Sequence, residues 1–140
     1  MQFGMTKVFR REDGALIGAA GIAAEAVNWT KWALDIGETG APSKMPNIGK
    51  ETEGVIVYLD GQVLVFDRWG KCVTTPHYFA MGSGQDYALG AMFAGAGSCV
   101  AVRAAILHCA SCGGEVEWVS HKPLTTTQRA WLVRELKKAA

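Results

Sequence analysis

The stretch GVIVYLDGQVLVFDRWGKCVTT, residues 54–75, constrains this chain more than any other. Two runs of β-branched and aromatic residues flank Asp60-Gly61, a dipeptide that accepts the positive φ angles of a tight hairpin turn. The chain is therefore committed to at least one antiparallel pair. A second pair is expected upstream, where TKVFRR (Thr6–Arg11) and GALIGAAG (Gly14–Gly21) read as short strands joined across Glu12-Asp13-Gly14. HYFAM reads as one more strand and EVEWVS as a last one.

Between the two hairpins the apolar period changes from two to nearly four. Ile22, Ala26, Trp29, Ala33 and Ile36 fall along one helical face, and Gly37 is expected to end that helix. Residues 37–52 are rich in Gly and Pro and read as an exposed loop. QDYALGAMFAG and SCVAVRAAILHCAS predict two further helices, parted at Gly95-Ala96-Gly97 with Ser98 as N-cap. Thr125 to Ala140 predicts an amphipathic closing helix, with Thr125 and Gln128 at capping-box spacing and Trp131, Leu132 and Leu136 along its apolar stripe.

Runs of strands followed by runs of helices argue an α+β fold, with two sheets stacked between helical layers. With 140 residues and 49% hydrophobic side chains, one domain over 1–140 can close a single core, residues 121–140 forming a helical extension. Fourteen basic against 13 acidic side chains leave a net charge of +1, which gives no electrostatic basis for binding nucleic acid or an anionic membrane. The longest apolar stretch, Ala15 to Ala24, stops at Glu25 and is too short to span a bilayer. The charged N-terminus lacks the apolar core of a secretory signal, so a cytoplasmic chain with reduced cysteines is expected.

FAMGSGQDYAL, residues 79–89, places a hydroxyl between two glycines where a strand should give way to a helix. A phosphate cradle is excluded because no Lys-Ser/Thr follows and Asp86 brings a negative charge. A nucleophile elbow is excluded because the glycines adjoin the serine rather than flanking it one residue away. Two readings stay open: Ser83 caps the helix in plain turn chemistry, or it lines a site whose reacting groups come from elsewhere. HCASC supplies Cys109-x-x-Cys112 beside His108, with His121 nine residues on. One such pair in an apolar helix is weak zinc chemistry, and Cys72 and Cys99 lack ligand spacing. At a helix end a thiolate gains no dipole support, so Cys109 is expected to pack in the core with His108 outside, and neither a metal nor a cofactor is expected.

YFAMGSGQDYALGAMFAGAG resembles the strand–turn–helix of proteasome β-type subunits and the HslV peptidase. TKVFRREDGALIGAAGIAAEA is similar to a second segment of that family: a lysine-bearing strand, a hairpin, then a strand running into a small-residue helix with an acidic residue near its start. The resemblance covers roughly Thr6 to Val119 and is closest to the shorter HslV-like proteins of bacteriophages and prophages. It implies an N-terminal nucleophile (Ntn) hydrolase fold, a four-layer αββα sandwich, here without its first strand hairpin and with an extra C-terminal helix. It also implies threonine-type hydrolysis of peptides or unfolded proteins, in which the α-amine of a mature N-terminal threonine acts as base.

On this resemblance Lys7 matches the catalytic lysine and Gly21 the glycine whose N–H stabilises the oxyanion. Ala19 and Ala23 match positions lining the substrate pocket, and Ser83 matches the accessory serine. The sequence departs from the family at its nucleophile. Only six residues precede Lys7, and the chain opens Met1-Gln2. Thr6 adjoins Lys7 on a strand, so the two side chains point to opposite faces. EVEWVS shows no counterpart to the family's late aspartate and serine. The chain is therefore expected to be a non-catalytic relative, or a peptidase whose natural start lies upstream. A homo-oligomer is the default expectation, and the alternative is an assembly or protease-regulating module that binds a protein partner.

Overall fold

The computed structural model describes residues 7–39, 44–74, 77–113, 116–117 and 119–121, together with 126, 127, 130 and 134. These divide into two compact units, one of Thr6–Pro76 with Val119–His121, the other containing His77–Trp118.

The first unit is a five-stranded antiparallel meander with one helix on it. Its strands are β1 (Val8–Arg10), β2 (Leu16–Ala20), β3 (Glu53–Val57), β4 (Val63–Asp67) and β5 (Gly70–Thr74), hydrogen-bonded in that order. The Asp60-Gly61 hairpin forms as expected. Tyr58 N–H and Gln62 O close it at 2.9 Å, Asp60 Oδ1 accepts the Gln62 N–H, and Gly61 has φ +86°. The run after it, read as one strand, is two. Asp67 Oδ1 accepts the Trp69 N–H at 2.8 Å and Gly70 turns with φ +130°, folding β5 back onto β4.

Helix α1 (Ala23–Thr39) crosses from β2 to β3. Ala26, Trp29, Thr30 and Ala33, spaced three and four apart, are its buried face. Ile22, expected on that stripe, precedes the helix and is 48% exposed. The helix also runs two residues past Gly37, because a glycine inside a helix costs only about 1 kcal/mol and does not by itself end one. The core beneath α1 joins Ala15, Ile17 and Ala19 of β2 and its approach with Ile56, Phe66 and Trp29, and Trp29, Trp32 and Phe66 meet ring to ring at 5.4–6.1 Å. The β1–β2 turn is fastened to α1 by Arg11, whose guanidinium donates to the Ala33 carbonyl at 2.9 Å and pairs with Asp13 at 2.7 Å.

In the second unit α2 (Gln85–Phe93) and α3 (Ser98–His108) pack together. Ser98 is the first helical residue rather than the cap; Gly97 holds the cap position and contributes no side-chain bond. HYFAM is irregular, with Tyr78 and Phe79 exposed, because no strand pairs with it among the described residues. The described part of EVEWVS is likewise irregular; residues 119–121 belong to the first unit, where the Ser120 carbonyl accepts a bond from Arg10 Nε at 2.8 Å and His121 Nδ1 lies 3.1 Å from the Gly14 carbonyl. Thr126, Thr127, Ala130 and Arg134 are helical, and the remainder of the expected closing helix, with Trp131, Leu132 and Leu136, lies outside the described residues. Strands and helices thus give the mixed α and β class expected, with a single sheet among the described residues instead of two.

Candidate functional site

The sequence points to two places, one in each unit. In the first, β2 ends at Ala20 and the chain turns through Gly21 and Ile22 before α1 begins. Gly21 takes φ +119°, and a Cβ there would fall onto the Glu51 carbonyl, with Thr52 Cα at 2.6 Å. Only glycine fits. Loop residues 49–52 are held at this turn by a compact polar network. Glu25, in the first turn of α1, accepts the Gly49 N–H at 2.7 Å through Oε2 and the Thr52 hydroxyl at 2.9 Å through Oε1. Thr52 Oγ1 in turn accepts the Ile22 N–H at 3.2 Å. Thr52 is 1% exposed, so each of these groups needs its partner. The Ile22 amide is consequently engaged with protein.

Lys7 is exposed and stands just before β1. Val8 pairs with Gly18, so one more step of the same register sets Lys7 opposite Ala19, at the end of β2 that runs into Gly21. Ala19 itself is 7% exposed and belongs to the core beneath α1. Ala23, the first residue of α1, is exposed. Glu25, Gly49 and Thr52 were not read from the sequence as a group, because Glu25 lies more than twenty residues from the other two. The acid in the first turn of a helix, where the dipole favours negative charge, was the available signal.

In the second unit Gly82 has φ +96° and the Gln85 N–H bonds back to the Gly82 carbonyl, making the turn that enters α2. Gly84 is the N-cap, without a side-chain cap bond, so Ser83 does not cap this helix. Its exposed hydroxyl lies 3.6 Å from Cys112 Sγ. Gly84 is also a close-approach glycine: a Cβ there would stand 2.7 Å from Cys112 Sγ and 2.8 Å from Ala105 Cβ. Cys109 is not on α3 as expected but caps it in extended conformation, half-buried, while His108 is exposed and stacks with Tyr87 at 6.1 Å. Cys109 Sγ lies 3.7 Å from the Ser83 carbonyl and 3.4 Å from Ser111 Oγ. Hydrogen bonds from Cys112 first, and then from Ser111, lower the Cys109 thiol from the ordinary value to about 7.

Among the described residues no three His, Cys, Asp or Glu side chains gather as metal ligands do, and no helix is long and apolar enough to cross a membrane. An open hollow at the β-hairpin ends is lined by Asp13, Ala15, Tyr58, Leu59, Asp60 and Gln62, and includes none of the five residues singled out by the resemblance.

No family model matches this sequence, and no curated protein does. Among the 25 solved chains with a similar fold is Thiobacillus denitrificans BPH, determined in complex with Epoxomicin. It superposes with a TM-score of 0.55 at 17% identity, over 84% of this chain and 81% of that one. The likeness is one of fold, and supports the proteasome-type fold expected from the sequence.

Proposed function

We propose that this chain is a proteasome β-type/HslV-like Ntn-hydrolase relative, built on the peptide-hydrolysing scaffold and without peptidase activity of its own as a 140-residue chain. The observation that carries the reading is the fold likeness over more than four-fifths of both chains, joined to the matching order of the TKVFRR and GSGQDYALG segments. Support for the finer, four-layer architecture comes from the sheet. Val8, Leu16, Val55, Val57, Val63 and Val65 alternate with the residues under α1, so the opposite face is apolar as well. A sheet apolar on both faces needs a layer over each.

In this reading the Gly21 amide is the oxyanion donor, since its neighbour Ile22 is taken by Thr52, and Lys7 supplies positive charge near the nucleophile's place. Ser83 is the accessory hydroxyl. Of the two alanines assigned to substrate contact, Ala23 is the one at the surface, and Ala19 sets the floor behind it. This reading assigns no nucleophile among the described residues. Peptide segments remain the class of ligand in this reading, and self-assembly the expected quaternary state.

The test is incubation of the 140-residue chain with fluorogenic peptides and with Epoxomicin, followed by intact-mass analysis. No turnover and no adduct are expected. Turnover that disappears in both Lys7→Ala and Ser83→Ala, or an adduct mapped to Thr6, overturns the inactive reading and retains the family one.

A further inference from the structure

Cys109 and Cys112 end α3 in a four-residue turn closed by the Cys112 N–H to the Cys109 carbonyl at 3.2 Å. Such a turn holds its first and last Cα within about 7 Å. A disulfide bridges Cα atoms about 4.4–6.8 Å apart, so the backbone already has the necessary span. The side chains are placed to match, the Cys112 thiol in hydrogen-bond contact with Cys109. Around them lie Ser111 Oγ and, from the turn before α2, both the carbonyl and the hydroxyl of Ser83.

We propose that Cys109 and Cys112 form a reversible thiol–disulfide site whose oxidant is a low-molecular-weight disulfide of the glutathione type. The sequence argued against this chemistry on the ground that a helix C-terminus does not stabilise a thiolate. The structure supplies another source: side-chain and backbone hydrogen bonds to sulfur, outside the helix, lower the Cys109 thiol to about 7. A thiol titrating close to ambient pH is the most effective attacker in exchange.

Cys109 is the attacking sulfur and Cys112 the resolving one. The Cys109 thiolate attacks one sulfur of the small disulfide, forming a mixed disulfide and expelling one thiolate. Cys112 then gives up its proton and attacks Cys109 Sγ, expelling the second thiolate. Two protein thiols and one disulfide thus become one protein disulfide and two small thiols. The change reaches Ser83 directly, because the bond between the sulfurs draws Cys112 from the Ser83 hydroxyl and removes the thiol hydrogen facing the Ser83 carbonyl. The two remaining cysteines lack this arrangement: Cys72 lies exposed on β5, and burial raises the thiol of Cys99 in α3.

The reduced chain, as it is and with Cys72→Ser and Cys99→Ser, is equilibrated with mixtures of reduced and oxidised glutathione. Mass and proteolytic mapping then locate the bridge. Loss of two hydrogens within the peptide holding residues 109–112 is expected, reversed by dithiothreitol. Cys112→Ser should hold one glutathione at Cys109, and Cys109→Ser should lose rapid exchange. In the reduced Cys72→Ser, Cys99→Ser chain, which keeps Cys112, iodoacetamide should alkylate Cys109 with a half-maximal rate near pH 7, about tenfold or more faster at that pH than an unperturbed thiol. A bridge through Cys72 or Cys99, no bridge at any glutathione ratio, or an alkylation midpoint above pH 8 overturns the proposal. The readout needs no peptidase activity and stands apart from the family reading.

Discussion

Gly54 lies directly under the indole of Trp29, where a side chain of even one carbon would overlap Cε2 and Cζ2 of the ring. Trp29 is fully buried and Gly54 pairs across the sheet with both Ala19 and Phe66, so the ring has no open side into which to withdraw. Gly54→Ala should therefore destabilise the chain by about 1–3 kcal/mol, the usual cost of overpacking a filled core. Urea denaturation followed by tryptophan fluorescence measures it. A change under a few tenths of a kcal/mol would mean that the indole moves freely.

Gly21 and Gly61 make a matched pair for separating backbone strain from steric collision. Both have positive φ, +119° and +86°, yet nothing lies within 4 Å of a Cβ built on Gly61, whereas one on Gly21 meets the Glu51–Thr52 backbone. Gly61→Ala should cost about 1–2 kcal/mol, the penalty of the left-handed region. Gly21→Ala should cost more than that, because backbone cannot rotate aside as a side chain does. Equal losses in thermal melts would contradict the tight approach at Gly21.

Glu25 uses both carboxylate oxygens, one for Gly49 N–H and one for Thr52 Oγ1. Glu25→Gln retains one acceptor oxygen and replaces the other by a donor, which faces a group already donating. A loss of about 1–3 kcal/mol is expected from the donor left unpaired. Hydrogen exchange should localise it, with the Gly49 amide losing protection well before the strands do.

The Arg11–Asp13 pair sets an acid limit. The Arg11 guanidinium, together with the Ala15 N–H, holds the Asp13 carboxyl below its ordinary value. A folded pKa depressed in this way contributes stability that is present in full above the unfolded carboxylate value of about 3.9 and is lost as pH falls through the lower folded value. Asp13 is 42% exposed, so solvent screening keeps the contribution to the about 0.2–1 kcal/mol of a surface pair. Asp13→Asn should flatten the stability profile below pH 4 and lower it slightly at pH 7. An unchanged acid slope would remove the pair as its cause.

How legible these features were depended on how local their causes are. Asp60-Gly61 announced its hairpin because the turn chemistry sits in two residues. The next turn used Asp67 and Gly70, an Asp at the first and a Gly at the fourth position of a tight turn, a weaker signature that the continuous apolar run concealed. HYFAM had the composition of a strand, but composition supplies no pairing partner. Ser83 looked like a cap since serine favours that position, yet Gly84 took it, leaving the hydroxyl beside a cysteine twenty-nine residues away. The Glu25–Gly49–Thr52 network and the sulfur cluster at Cys109 are likewise made by contacts between distant segments, which periodicity does not encode.

The meander has a bearing on how the chain is made. Each strand bonds only to those before and after it, and the longest span between paired strands is the one from Ala20 to Glu53. Topologies with such nearby partners lose little loop entropy in closing and fold quickly. Translation delivers about 5–20 residues per second, N-terminus first. By the time Thr74 leaves the ribosome every described strand of the sheet has been synthesised, while α2 and α3 are still unmade; the ties from Arg10 to Ser120 and from His121 to Gly14 have to wait. Birth order and assembly order coincide, and the nascent sheet has little occasion to meet the wrong partner.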